Sequence, residues 1–192
     1  MSTRLFVSVG TDHHPFGRLI SWVDDWVASH PQASLIVQHG SSPRSSQGEN
    51  QSMMTAEDIR MHYELADIVV SQVGPGTIAD ANAAGHVPLV VPRDPAQGEV
   101  VDDHQYLFGR FMADRGRCVM VTTREELHAA LEQASSSPEP MRFDPGTSDA
   151  DPSAAVGALA ARLVSSPRRR LRWRRVRDML ASHPDRIGRD DA

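Results

Sequence analysis

The sequence predicts an α/β fold: a doubly wound, Rossmann-like parallel sheet carrying additional C-terminal helices. Three observations predict it. Strand-like and helix-like segments alternate from residue 4 to residue 134. The strand-like segments, such as IVV and LVV, are near-continuous Val, Ile and Leu, as parallel strands covered on both faces require. Most of them run into glycine or polar turn residues.

Taken in order, Arg4–Val9 reads as a strand ending at Gly10-Thr11. Pro15 opens a helix in which Phe16, Leu19, Ile20, Val23 and Trp26 share one face. His30-Pro31 stops it. Ser34–Gln38 is a second strand ending at Gly40, and residues 41–52 are polar or turn-forming, an expected exposed loop. Glu57–Leu65 reads as a short helix and Asp67–Ser71 as a strand. Gly74-Pro75-Gly76-Thr77 precede a small-residue helix, Ile78–Ala84, closed by Gly85. Val87–Val91 is another buried strand. The loop Pro92–Asp103 leads into a helix presenting Leu107, Phe108, Phe111 and Met112. Cys118–Val121 is a strand, and Thr122 or Thr123 with a Glu three residues on forms a capping box for the helix Arg124–Ala134. Residues 1–134 are therefore expected to form the domain. Residues 135–152, rich in Ser, Pro and Asp, read as a linker or loop, and 153–192 as two C-terminal helices.

Composition excludes several classes. The 192 residues are 40% hydrophobic, enough for a core without staples. No apolar run approaches the ~18–20 residues of a membrane span, and MSTRLFVSVG lacks the shape of a signal peptide, so the expected location is cytoplasmic. One cysteine, Cys118, excludes a disulfide framework and a multi-cysteine metal site. All 20 basic residues are Arg, which removes the phosphate-binding Lys of a Walker loop and any Schiff-base Lys. Residues 168–177 hold seven Arg and no acid, leaving 13 Arg against 25 Asp and Glu elsewhere. An acidic body with a basic tail is not the charge distribution of a nucleic-acid-binding domain.

In an open parallel sheet, ligands bind at the carboxyl ends of the strands. The polar segments gather there: Gly10–His14, Gln38–Gly40, Gln72–Thr77 and Asp102–Gln105. Gly10-Thr11 and Gly74–Thr77 are each followed by a helix, whose N-terminus offers unpaired N–H groups and partial positive charge suited to phosphate. Pro75 removes one donor, leaving the N–H groups of Gly76 and Thr77 and the Thr77 hydroxyl. The absence of G-x-G-x-x-G counts against a dinucleotide oxidoreductase. Asp102-Asp103-His104 lack the spacing of a metal site, so no metal is expected. His13 and His14 have the right chemistry for a general base, a phosphate contact or a partner contact, and the sequence leaves these open.

V-S-V-G-T, V-Q-H-G, A-D-I-V-V-S-Q-V-G-P-G-T-I-A-D, G-H-V-P-L-V-V-P and D-D-H-Q, in this order, resemble the C-terminal half of glycosyltransferase family 28 over residues 4–134. The likeness is greatest to the stand-alone, single-domain members that supply the donor half of two-subunit enzymes making dolichol-linked N-acetylglucosamine or exopolysaccharide precursors. The resemblance implies a GT-B half-enzyme binding a UDP-sugar. Gly10 and Thr11 match its first phosphate-side turn, and Gln38 and Gly40 the turn beside it. Met54 and Thr55 fall where the family backbone meets uracil. Gly74, Gly76 and Thr77 match the second pyrophosphate turn. Asp80 stands where the family has a Glu on the ribose, one methylene longer, and His104-Gln105 match the pair whose Gln contacts sugar hydroxyls. Pro75 departs from the family turn. In two-domain members the general base lies in the N-terminal half, which this sequence does not contain.

The expectation is a donor-binding subunit of an inverting hexosyltransferase, acting on a lipid-linked or polysaccharide acceptor with a membrane-anchored partner and no cofactor. Arg168–Arg177, where Trp173 and Val176 share a face with Leu180, is expected to dock on that partner, with attraction to anionic lipid as a secondary effect. The alternatives are a non-catalytic nucleotide-binding or interaction module, and a self-contained small transferase or hydrolase using His13 or His14.

Overall fold

The computed structural model describes residues 2–137 and 141–143. The expected C-terminal helices, including Arg168–Arg177, lie outside the described residues. Six parallel strands form one sheet in the order β3-β2-β1-β4-β5-β6: β1 (Arg4–Ser8), β2 (Ser34–Gln38), β3 (Glu49–Gln51), β4 (Ile68–Gln72), β5 (Leu89–Val91) and β6 (Val119–Met120). Between them run α1 (Gly17–Ala28), α2 (Ala56–Leu65), α3 (Pro75–Ala83), a 3-10 turn (Pro95–Gln97), α4 (His104–Ala113) and α5 (Arg124–Ser136). This is the doubly wound order, and its reversal falls between β1 and β4.

Side chains alternate across β1, so Leu5 and Val7 enter one core while Phe6 enters the other. The first core joins them to Leu19, Val23 and Trp26 of α1 and Leu127 and Leu131 of α5. The second sets Phe6 against Tyr63 of α2 and Ala81 of α3. Two helical layers thus cover both faces of the sheet. α1 buries Leu19, Ile20, Val23 and Trp26 of the face its spacing predicts, and Phe16 is buried at its N-cap. Beyond α5, Met141 is buried and its carbonyl accepts from Val87 N at 2.8 Å, while Arg142 bridges His86.

Three local readings change. The segment 41–52 contains a strand, β3, because Glu49, Asn50 and Gln51 pair with Ile36, Val37 and Gln38. A three-residue polar strand carries no periodic signal. Asp24 of α1 accepts hydrogen bonds from the hydroxyls of Ser45 and Ser46, and Ser42 and Ser45 are buried. Secondly, α4 buries Gln105, Phe108, Gly109 and Met112, while Leu107 is exposed and Phe111 half-buried. Its face is set by Gly109, where a methyl group would lie 2.6 Å from Met120 Sδ, so the helix backbone is pressed close to β6. Thirdly, α1 begins at Gly17, so Gly10-Thr11 end β1 in a loop and do not themselves start a helix.

Candidate functional site

The glycine turns meet at the switch point of the sheet. Gly10 follows β1 with φ +78° and Gly40 follows β2 with φ +56°. A Cβ on Gly40 would stand 2.6 Å from the Gly10 carbonyl oxygen, so the two turns touch backbone to backbone. Gln38 fixes them from beneath. It is buried, its Nε2 donates to Gly10 O and Ser52 O at 3.1 Å each, and its Oε1 accepts from Ser8 Oγ at 2.9 Å. Gln38 is thus a clamp on the turns with both ends of its amide engaged.

Gly74 caps α3, with Pro75 in the first helical position and Ile78 N donating to Gly74 O at 3.0 Å. Gly76 and Thr77 occupy the next two positions, where N–H groups have no intrahelical carbonyl. The space around Gly76 is open. Between this helix end and the Gly10 turn lies Gln72, the last residue of β4. A methyl on Gly10 would come within 3.0 Å of Gln72 Nε2, and one on Gly74 within 2.3 Å. Its Oε1 accepts from Gln105 Nε2 at 3.3 Å. The polar strand endings signalled Gln72 only as part of a turn. Its place between two glycine turns is a feature of the sheet crossing.

Gln105 is buried and splits from its neighbour. His104 is exposed with its ring on Asp102, whereas Gln105 points inward and its Oε1 accepts the Arg93 N–H at 3.0 Å. Arg93, wholly buried, went unmarked by sequence reasoning, as did its companions Arg18 and Glu99. Arg18 donates to both Glu99 oxygens at 3.0 and 2.7 Å. No local motif announces such contacts, which join residues as many as 84 positions apart.

His14 is held at its N–H and ring by Asp12 Oδ1, at 2.8 and 2.7 Å, and at its carbonyl by Arg93 Nη1 at 2.7 Å. His13 is exposed, its ring 3.9 Å from that of His14. Burial pushes the Asp12 carboxyl up, but the two His14 hydrogen bonds, Arg93 and the charge of His14 hold it below its ordinary range. Asp12, His13 and His14 each bring one ligand atom within 4.8 Å of the others. A cation there would have to displace the Asp12–His14 bonds. Cys118 is buried and its thiol is pushed up to about 12, which makes it a packing residue rather than a nucleophile.

Asp80 lies one turn beyond Thr77 on α3 and is exposed. It borders a cavity of about 240 Å³ between α2 and α3, with Ile59, Tyr63, Ala83 and Ala84. Burial, then the nearby Asp80 charge, pushes the Tyr63 phenol up. At the mouth of α2, Thr55 is the N-cap and forms a capping box with Asp58, while Met54 packs against the Phe6–Tyr63 core. The structure therefore brings Gly10, Gln38, Gly40, Gly74, Gly76, Thr77 and Gln105 to one crevice. Asp80, Met54 and Thr55 stand on elements along the α2–α3 side.

A Rossmann-type parallel sheet with glycine turns at its switch point is the architecture found in one half of a GT-B glycosyltransferase. Residues 4–148 match the model of the glycosyltransferase family 28 C-terminal domain. The chain belongs to that family. It is 36% identical over 69 residues to the UDP-N-acetylglucosamine--N-acetylmuramyl-(pentapeptide) pyrophosphoryl-undecaprenol N-acetylglucosamine transferase of Alcanivorax borkumensis, covering 36% of this chain and 18% of that protein. The Azotobacter vinelandii protein of the same name is 34% identical over 87 residues, 43% of this chain and 23% of its own length. The chain thus matches about a fifth of the length of these relatives. Among solved structures, Acinetobacter baumannii MurG superposes with a TM-score of 0.52 at 18% identity, over 73% of this chain and 43% of that one. The solution structure of ALG13 gives 0.53 at 18%, over 79% of this chain and 92% of that one. Among the described residues, no helix is long and apolar enough to cross a membrane.

Proposed function

We propose that this chain is the UDP-sugar-binding subunit of an inverting hexosyltransferase that acts on a lipid-linked or polysaccharide acceptor. The observation that carries the reading is the meeting of the Gly10, Gly40 and Gly74 turns at the switch point, with the Gln72 amide between them. The acceptor hydroxyl attacks the anomeric carbon, the bond from that carbon to the diphosphate breaks, and UDP leaves into the turns. The Gly76 and Thr77 N–H groups and the Gly10-Thr11 turn face the developing charge. Donors so placed contribute roughly 3 kcal/mol each to a transition state, and they take up the charge of the leaving diphosphate without a metal. Asp80 takes the ribose and the Met54-Thr55 backbone the uracil. Gln105 turns its Nε2 from the long 3.3 Å bond to Gln72 toward the sugar. His104 lies at the rim.

A membrane-anchored partner supplies the acceptor site and the base, recruiting this chain to the cytoplasmic face. Arg168–Arg177 docks there, with anionic lipid as a secondary attraction; nucleic acid is no partner. That the superposition covers 92% of ALG13, against 43% of MurG, supports a donor unit separate from its acceptor-binding half. The pinned Asp12–His14 pair favours a second reading, a self-contained transferase or hydrolase with His14 as base. Thermal unfolding tests the donor class. UDP-N-acetylglucosamine or another UDP-sugar is expected to stabilise the protein by ~2.7 kcal/mol at a hundredfold excess over its dissociation constant. NADH is expected to do nothing, and stabilisation by NADH alone would overturn the reading.

A further inference from the structure

Arg93 sits two residues beyond β5 and is fully buried. Its Nη2 donates to Val9 O at 2.9 Å, and its Nη1 to His14 O at 2.7 Å and Glu99 O at 3.1 Å. Its backbone N–H donates to Gln105 Oε1, and its guanidinium lies 4.7 Å from the centre of the Phe16 ring. One residue therefore ties the end of β1, the loop carrying His14, the loop before α4, and Gln105. Asp12 and Glu99 balance its charge. Glu99 is itself held by Arg18 and by Asp94 N at 2.8 Å.

Stability alone gives a poor reason for this side chain. Its Nε is buried without a hydrogen-bond partner. Burying a guanidinium forfeits its hydration, and an apolar side chain of similar volume would fill the space without that cost. What an apolar chain lacks is a rigid planar fork that aims N–H groups at several carbonyls at once. Those carbonyls belong to the segments that carry the candidate site residues.

We propose that Arg93 is a positioning residue of the donor site, which holds the Gly10–His14 loop and Gln105 in the arrangement that admits a nucleotide sugar. This rests on the donor-site reading above. Its side chain acts through the carbonyls of Val9, His14 and Glu99, its backbone N–H holds Gln105, and it touches no ligand itself.

The test uses the full chain with Arg93→Met and Arg93→Lys, read by amide hydrogen exchange and by binding of UDP-N-acetylglucosamine. Both variants should unfold cooperatively and keep the protection of β1 and β4. Residues 9–16 and 99–106 should exchange about tenfold faster in Arg93→Met, with affinity falling about tenfold, and Arg93→Lys should lie between. Unchanged exchange in the two segments overturns the proposal. So does unchanged affinity in a variant that is merely less stable. Should Arg93→Met fail to fold, Arg93→Lys decides by the same readouts. Failure of the wild-type chain to bind the UDP-sugar overturns the donor-site reading instead, and the exchange data still judge whether Arg93 orders the two segments.

Discussion

Gly40 and Gly76 serve the same crevice under opposite constraints. Gly40 lies at φ +56° with the Gly10 carbonyl where a Cβ would stand. Gly40→Ala is expected to cost about 1–2 kcal/mol for the left-handed backbone alone, and more as the Gly10 turn shifts. Gly76 is in the first turn of α3 with open space around it. Gly76→Ala should stabilise the helix by up to ~1 kcal/mol while placing a methyl where the proposed site receives the diphosphate. Urea unfolding and UDP titration should therefore show Gly40→Ala losing stability and affinity together, and Gly76→Ala gaining the first while losing the second. Asp80 and Gln105 divide by ligand. Asp80→Ala should weaken UDP and UDP-sugar alike, by roughly tenfold, as for a lost hydrogen bond to a charged group. Gln105→Ala should weaken only the sugar-bearing ligand, and equal losses on both would refute its role.

At the scale of elements, what was legible was whatever a short stretch dictates by itself. The apolar strands, the buried face of Phe16 and α1, and the Thr123–Glu126 capping box of α5 are local patterns, and the structure contains all of them. β3 was not legible, since its strand character comes from pairing with β2 rather than from its residues. The α4 face was misjudged because Gly109, with no side chain of its own, decides which side packs. In the site, the glycines were visible as turn residues, whereas Arg93 and the Gln72 crossing arise from contacts distant in sequence. The capping box also yields a pH test. Hydrogen bonds from Thr122 N–H and hydroxyl, with that of Thr123 N–H, hold the Glu126 carboxyl below its ordinary range. A carboxyl lowered in the folded state lends stability above the unfolded value of about 4.3, and loses it as the pH falls through the folded one. Glu126→Gln should therefore lower the urea midpoint at pH 7, with the gap to wild type closing in more acidic solution. A gap that persists unchanged would mean that the charge contributes nothing.

At the scale of the molecule, the described residues form one sheet, and the glycine turns proposed to take the nucleotide lie at its carboxyl edge. That edge gives a sugar acceptor a single wall. Transfer requires the acceptor hydroxyl within ~3–3.5 Å of the anomeric carbon and aligned with the departing diphosphate, a placement that one wall cannot enforce. The turns proposed to hold the donor lie within residues 10–105, so donor binding and acceptor placement are expected to be separable. The purified chain is expected to bind UDP-sugar yet transfer it negligibly. Co-expression with a membrane-anchored partner should restore transfer. Deleting residues 166–192 should abolish that restoration and leave UDP binding intact, because no donor-turn residue is removed. Radiolabelled sugar incorporated into a lipid-extractable product measures the first effect, and calorimetric UDP titration the second. Robust transfer by the isolated chain, lost in His14→Ala, would instead establish the self-contained enzyme. Full restoration by the truncated chain would leave the two-subunit reading standing and remove the arginine segment from the interface.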